Sequence, residues 1–203
     1  MTDIVFATSN ENKLKEIRKI MSDSRYNIIT MKQLGIANQI EEDGNTFCEN
    51  AVKKASGIMK ITEKPTLADD SGIEIDFLDK KPGVHSAMFL GIDTPYSIRN
   101  LEILKMLKDV PFEKRTARFV CVIACALTNG DIITAEGVFE GHIAYDPKGE
   151  NGFGYDPIFY VKEYGMTSAE MDINLKNCIS HRGKALRDMA KKLEEIANKG
   201  YLK

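Results

Sequence analysis

No stretch of this chain approaches the roughly 18 apolar residues that a membrane-spanning helix needs. The opening MTDIVFATSN lacks the basic flank and long apolar core of a secretory leader, so a cytoplasmic location is expected. Cysteine is scarce: Cys48, Cys121, Cys125 and Cys178 form no CxxC pair, which argues against zinc or a disulfide framework. Cys121 and Cys125 lie at even spacing in FVCVIACAL, which puts both on one side of a strand as buried thiols. Excess positive charge is missing as well. Lys and Arg number 28 against 30 Asp and Glu, a formal charge of -2, whereas a duplex nucleic-acid binder shows a broad basic face. An anionic ligand must therefore meet a local cluster of donors. No segment has linker composition and no internal repeat occurs, so residues 1–203 read as one domain.

What is present alternates between strand and helix. DIVFAT (3–8) reads as a strand, and NENKLKEIRKIM follows with Leu14, Ile17 and Met21 on one helical face and Asn10 as N-cap. YNIITM (26–31) is a second strand, and residues 35–46 form a polar loop. Thr46 and Glu49 have capping-box spacing, and Phe47, Ala51, Ala55 and Ile58 mark the buried face of the next helix. TLADDSGIEIDFL reads as two strands joined or bent at Ser71-Gly72, with a Pro82-Gly83 turn beyond. Residues 97–108 place Ile98, Leu101, Leu104 and Met106/Leu107 at helical spacing. RTARFVCVIACAL and DIITAEGVFEGHI flank Asn129-Gly130, a hairpin signal. The Gly-rich KGENGFGYDPIFY follows. A helix from Ser180 to about Asn198 closes the chain, with Leu186, Met189, Leu193 and Ile196 facing inward. The pattern predicts an α/β fold with a mixed sheet.

Four stretches carry residues suited to chemistry. In ATSNENKLKE a strand passes through a Thr8-Ser9-Asn10 turn into a helix with Lys13 in its first turn, a place where backbone N–H groups attract anions. It lacks the glycines of a Walker loop, and a capped helix with a solvated lysine is the plainer reading. The second is acidic: Glu41, Glu42 and Asp43 in a loop, and Asp69-Asp70 between apolar neighbours. Mg²⁺ takes one or two carboxylates plus waters and substrate phosphates. Strand alternation keeps Asp69 and Asp70 from both facing one ion, so one is a candidate ligand and the other a supporting group, unless the pair is an Asx-turn before Gly72. The third is GENGFGYDP, where Gly152 and Gly154 permit close backbone approach and Phe153 and Tyr155 offer faces to a planar base. The fourth is KNCISHRGKAL, which sets His181 and Arg182 at a helix start, against the helix dipole, and so points to an anionic or hydrogen-bonding ligand. Together these fit a nucleoside polyphosphate bound with Mg²⁺.

In order along the chain, ATSNENKLKE, EEDGNTFCENA, ADDSG, PGVHSA, GFGYDPIF and SHRGKAL resemble the blocks of the inosine triphosphate pyrophosphatase family, the XTP/dITP diphosphatases. The resemblance implies an elongated mixed sheet with flanking helices, two lobes around a central cleft, and a homodimer. It implies Mg²⁺-dependent hydrolysis of ITP, dITP and XTP to the monophosphate and pyrophosphate. Carried over by motif position, Thr8, Ser9, Asn10 and Lys13 hold the triphosphate, and Glu41 and Asp70 share the metal. The resemblance also implies Asp70 as general base and Ser71 as a substrate contact, with Asp69 left as a supporting carboxylate. Phe153, Gly154, Tyr155 and Asp156 form the base pocket with Lys176, His181 and Arg182. Two positions depart from the pattern: many relatives have Gly at Ser9, which requires negative φ here, and Arg at Met88. Competing readings are a pyrophosphatase of other nucleotides, a non-catalytic nucleotide-binding module, and an RNA-binding protein using the Phe153/Tyr155 loop.

Overall fold

In the computed structural model, residues 2–22, 25–37 and 40–199 are described; Asn38 and Gln39 of the expected 35–46 loop lie outside them. The strands are β1 Thr2–Phe6, β2 Tyr26–Thr30, β3 Thr66–Ile75, β4 Thr116–Ala126, β5 Ile132–Ile143, β6 Phe159–Val161 and β7 Met166–Thr167. They form one open sheet in the order β2-β1-β3-β4-β5-β6-β7. Among the described residues there are five α-helices: α1 Glu11–Ile20, α2 Phe47–Thr62, α3 Tyr96–Met106, α4 Ile173–Ile179 and α5 His181–Asn198. β1 runs parallel to β2 and β3, with Phe6 opposite Thr30 on one side and Leu67 on the other. β6 is antiparallel to both β5 and β7, so the sheet is mixed, as the alternation of elements implied.

Local chemistry explains most of these elements. Parallel β1 and β2 need a crossover, and α1 supplies it. Asn10 starts that helix from extended backbone, its side-chain oxygen accepting the Asn12 and Lys13 N–H groups. Thr46 caps α2 by accepting the Glu49 N–H at 3.1 Å, while Glu49 reaches back to the Asn45 N–H at 2.7 Å, one residue earlier than a strict capping box. β4 is buried from Phe119 to Ala126, which is why its sequence is continuously apolar rather than alternating. The Asn129-Gly130 turn closes with the Leu127 N–H on Asp131 O, Gly130 taking φ 95°.

The chain divides into two compact units. One takes the residues up to Asp70, Cys121–Gly137 and those from Arg182 onward; the other takes Ser71–Val120 and Val138–His181. The first unit's core joins Ile4 and Phe6 of β1 to Leu14 and Ile17 of α1 and to Leu186, Met189 and Leu193 of α5. Cys121 and Cys125 lie in it, and burial pushes both thiols up to about 12. The second unit's core gathers Ile73, Ile103, Leu107, Phe119, Phe139 and Phe159. Within it the buried Arg115 donates to the carbonyls of Leu107, Ile143 and Ala144 at 2.6 to 2.8 Å.

Three expectations need correction. β3 is one strand through Ser71-Gly72, because Gly72 stays out of the left-handed backbone and a Ser-Gly pair with ordinary φ does not turn. α3 turns a partly different face inward. Ile98 and Leu101 are 52% and 48% exposed, whereas Leu104 and Leu107 pack on the core as expected, joined by Ile103 and by Arg99 and Asn100, because the arginine finds carbonyl partners inside. α4 was not anticipated; Asp172 caps its short run by accepting the Asn174 and Leu175 N–H groups.

Candidate functional site

In the first unit, β1 delivers Thr8 to the turn before α1. Asn10 donates its N–H to Thr8 Oγ1 at 3.2 Å, and its own side chain occupies the Asn12 and Lys13 amides. Ser9 avoids positive φ, so a serine is accommodated there without backbone strain. A cavity of about 370 Å³ opens beside this turn, lined by Thr8, Ser9, Leu14, Thr30 and Lys32 among others.

Lys13 projects from the first turn of α1 to Asp69 Oδ2 at 2.9 Å. Arg182 reaches the same oxygen through Nε and Nη2, at 3.3 and 3.2 Å, and places Nη1 on Glu16 Oε2 at 2.5 Å. Lys13 and Glu16, three apart on α1, thus serve one buried cluster. Asp69 is fully buried, which alone would raise its pKa, but the charges of Lys13, Arg182 and Lys54 prevail and hold the carboxyl well below the usual range. Arg182, expected in the base pocket, makes these bonds to carboxylates.

Asp70 has the opposite electrostatics. Burial raises its pKa above the ordinary aspartate value, against the lowering effects of Lys54, a hydrogen bond from Asn50, and Lys13; Glu42 pushes it up further. Asn50 Nδ2 donates to Asp70 Oδ2 at 3.0 Å, while Asn50 Oδ1 accepts the Gly44 N–H at 2.7 Å, tying the acidic loop to β3. A Cβ at Gly44 would sit 2.6 Å from that Oδ1. Lys54 pairs with Glu42 at 3.1 Å. Glu42 is the acidic-loop residue whose charge bears on Asp70; both it and Glu41, the residue expected to share a metal, are exposed. A buried carboxyl with a like charge beside it and a polar amide fixing one oxygen is a donor set that suits a hard cation.

In the second unit, the glycine–aromatic loop closes on Asp156. Its Oδ2 accepts the Phe153 N–H at 2.8 Å and Lys176 Nζ at 2.6 Å, and its Oδ1 accepts Ser168 Oγ at 2.7 Å. Gly152 sits at φ +74°, and a Cβ there would lie 2.1 Å from Asp156 Oδ2, so the position demands glycine. Lys176 Nζ stands 5.3 Å from the Phe153 ring centroid. Phe153 is half-buried, but Tyr155 turns inward: it is buried, and burial raises its hydroxyl pKa. Tyr155 thus supports the loop rather than offering the second stacking face. His181 is stacked on Phe119, centroids 4.8 Å apart and 16° between planes. Ser71 is half-buried on β3, and Met88 is exposed.

Glu16, Asn50, Lys54, Ser168 and Phe119 went unnoticed in the sequence. Glu16 had a signal, its i,i+3 spacing from Lys13, and Asn50 had another, a polar residue on the apolar face of α2; the rest depend on tertiary contacts.

A mixed sheet, a capped turn leading to Lys13 and a buried carboxylate cluster, and a glycine–aromatic loop locked on a buried ion pair together define an α/β protein. The chain belongs to the Ham1 family, whose model matches residues 4–192. It is 48% identical to a protein of Desulforamulus reducens named dITP/XTP pyrophosphatase, over 98% of this chain and 97% of that one. A Bacillus subtilis protein of the same name is 42% identical over 96% and 98%. The solved structure of a HAM1 protein from Coxiella burnetii superposes with TM-score 0.88 at 42% identity, covering 96% of this chain and all of that one.

Proposed function

We propose that this chain hydrolyses the triphosphates of deaminated purines, dITP, ITP and XTP, to the monophosphate and pyrophosphate in a Mg²⁺-dependent reaction. Its relatives, at 42–48% identity over nearly full length, carry the name of this hydrolase class. The observation that carries the reading is the contrast at the adjacent aspartates: Asp69 is bound by the cations of Lys13 at 2.9 Å and Arg182 at 3.2 Å, while Asp70 accepts from the neutral Asn50 amide at 3.0 Å and has a raised pKa. A raised carboxyl is the better base, and it is the one that Glu42 accompanies.

In this reading Thr8, Ser9, Asn10 and Lys13 receive the phosphates, and Lys13 neutralises charge that develops on departing pyrophosphate. Asp70 orients a water and takes its proton as the oxygen attacks the α-phosphorus. Mg²⁺, held by Asp70 and an acidic-loop carboxylate, Glu41 or its neighbour Glu42, would supply charge neutralisation on the phosphate oxygens. Phe153 stacks on the base while His181, with its ring plane set by Phe119, and Lys176 offer donors to the 6-keto oxygen. Arg182, which bonds Asp69 and Glu16, keeps Asp69 ionised beside Lys13. ATP presents an amino group at this position, which leaves such donors opposed, and sites of that kind discriminate by about 10⁴. The same reading has the enzyme working as a cytoplasmic homodimer.

The test is a panel of nucleoside triphosphates assayed with and without Mg²⁺ for pyrophosphate against orthophosphate. Pyrophosphate from dITP and XTP, at rates far above that from ATP, is expected. Equal rates for ATP and ITP, or orthophosphate as sole inorganic product, would overturn the reading.

A further inference from the structure

The PGVHSA block has no part in the function above, yet its Ser86 is a buried junction of the second unit. Ser86 Oγ accepts the Ile73 N–H at 2.9 Å and donates to Gly83 O at 2.6 Å. Its carbonyl accepts Tyr155 OH at 2.8 Å and Arg99 Nη1 at 3.2 Å. Arg99 is 2% exposed. Its Nη1 also donates to Ala87 O at 2.7 Å, and its Nη2 to Gly91 O and Ile92 O at 2.9 and 3.2 Å. A buried guanidinium whose donors go to the backbone of one loop fixes the shape of that loop.

The same stretch of α3 reaches the glycine–aromatic loop directly. Asn100 Nδ2 donates to Gly154 O at 3.1 Å. Tyr96 lies under the Arg99 guanidinium, 4.7 Å from its centroid, and meets Tyr155 edge-on at 5.1 Å. Gly154 has φ +70°, and a Cβ there would lie 3.6 Å from the Tyr96 ring. Three contacts thus converge on residues 154 and 155: the Asn100 amide, the Tyr96 ring, and the Ser86 carbonyl that Arg99 holds in place.

We propose that Arg99 and Asn100 are positioning residues, which set the 153–156 loop through Gly154 and Tyr155 so that Phe153 and Asp156 are presented to the purine base. This rests on the nucleotide reading given above. Its contacts serve the loop proposed to meet the base, so its loss is expected in substrate affinity rather than turnover.

The full chain carrying Arg99→Lys, Asn100→Ala or Tyr155→Phe tests it. Lysine keeps the charge but cannot span four carbonyls. In ligand-free protein, amide exchange over residues 151–158 is expected to quicken about ten-fold in Arg99→Lys and Asn100→Ala, the size of effect one lost hydrogen bond produces. Tyr155→Phe, which removes a single hydroxyl, should give a smaller shift in the same direction. KM for dITP is expected to rise about ten-fold with kcat within roughly three-fold, a split that lost packing alone does not produce. Should Arg99→Lys fail to fold, Asn100→Ala and Tyr155→Phe decide the matter. Unchanged exchange over 151–158 in folded Asn100→Ala overturns the proposal, and quickened exchange with an unmoved KM overturns its link to the base. A wild-type protein inactive on every deaminated purine triphosphate breaks the functional reading instead, and the exchange result still tells whether α3 sets the loop.

Discussion

In the first unit the buried Arg182 meets two carboxylates, Asp69 and Glu16; in the second, Arg99 and Arg115 meet main-chain carbonyls. Charge against charge holds the Asp69 carboxyl low despite its burial, while burial raises that of Asp70 beside it. Charge against carbonyl dipoles does little to neighbouring titrations and instead locks backbone. The first arrangement suits bond-breaking and the second suits shape, which is how the proposed reaction divides its labour.

The sharpest way to break this comparison is Asp70→Asn. If the first unit does the chemistry, turnover falls by about 10²–10⁴-fold, as loss of a general base does, with KM little changed. Initial rates of pyrophosphate release settle it, and near-wild-type turnover would return the role to Asp69. Next in size is Asp69→Asn, which leaves Lys13 and Arg182 short of a buried partner and is expected to cost about 3–5 kcal/mol by urea unfolding at pH 7. Its pH dependence has a definite sign. A carboxyl held below its ordinary 3.8 contributes stability that is complete above that value and lost as pH falls beneath it. The mutant's stability should therefore fall less steeply than that of the wild type below about pH 4.

Arg115→Met sharpens the other side. It strands carbonyls of Leu107, Ile143 and Ala144 and should cost about 3 kcal/mol in the same urea measurement, with turnover at 25 °C retained. A large loss of kcat in a folded Arg115→Met protein would erase the distinction between the units. The smallest effect expected is a difference between neighbours: Glu42→Gln should weaken the Mg²⁺ requirement about ten-fold more than Glu41→Gln, read as the Mg²⁺ concentration for half-maximal rate. Equal effects would mean that the carboxylate beside Asp70 has no special role.

How far all this could be read in advance depended on range. The starts of α1 and α2 were legible because capping is settled within three or four residues, as Asn10 and Thr46 show. The inward face of α3 was not, because apolar periodicity cannot announce that an arginine will bury itself against loop carbonyls. Strand alternation separated Asp69 from Asp70 in role, but which partners each would meet was decided by α1, α2 and α5, elements remote in sequence. Glu41 and Glu42 look alike in sequence; that Lys54 would pair with Glu42 depends on a contact made between the loop and α2. The Phe153/Tyr155 pair looked equivalent for the same reason, until Ser86 drew the tyrosine inward.

The cysteines give the bench a counting method. Cys48 and Cys178 are exposed and Cys121 and Cys125 are buried, all four unbridged. With their pKa pushed up to about 12, the buried pair stays protonated and shielded at any pH where a thiol reagent is used. Native protein should therefore titrate as two thiols and unfolded protein as four, so that the rate at which the second pair becomes reactive reports the opening of the first unit's core without any added probe.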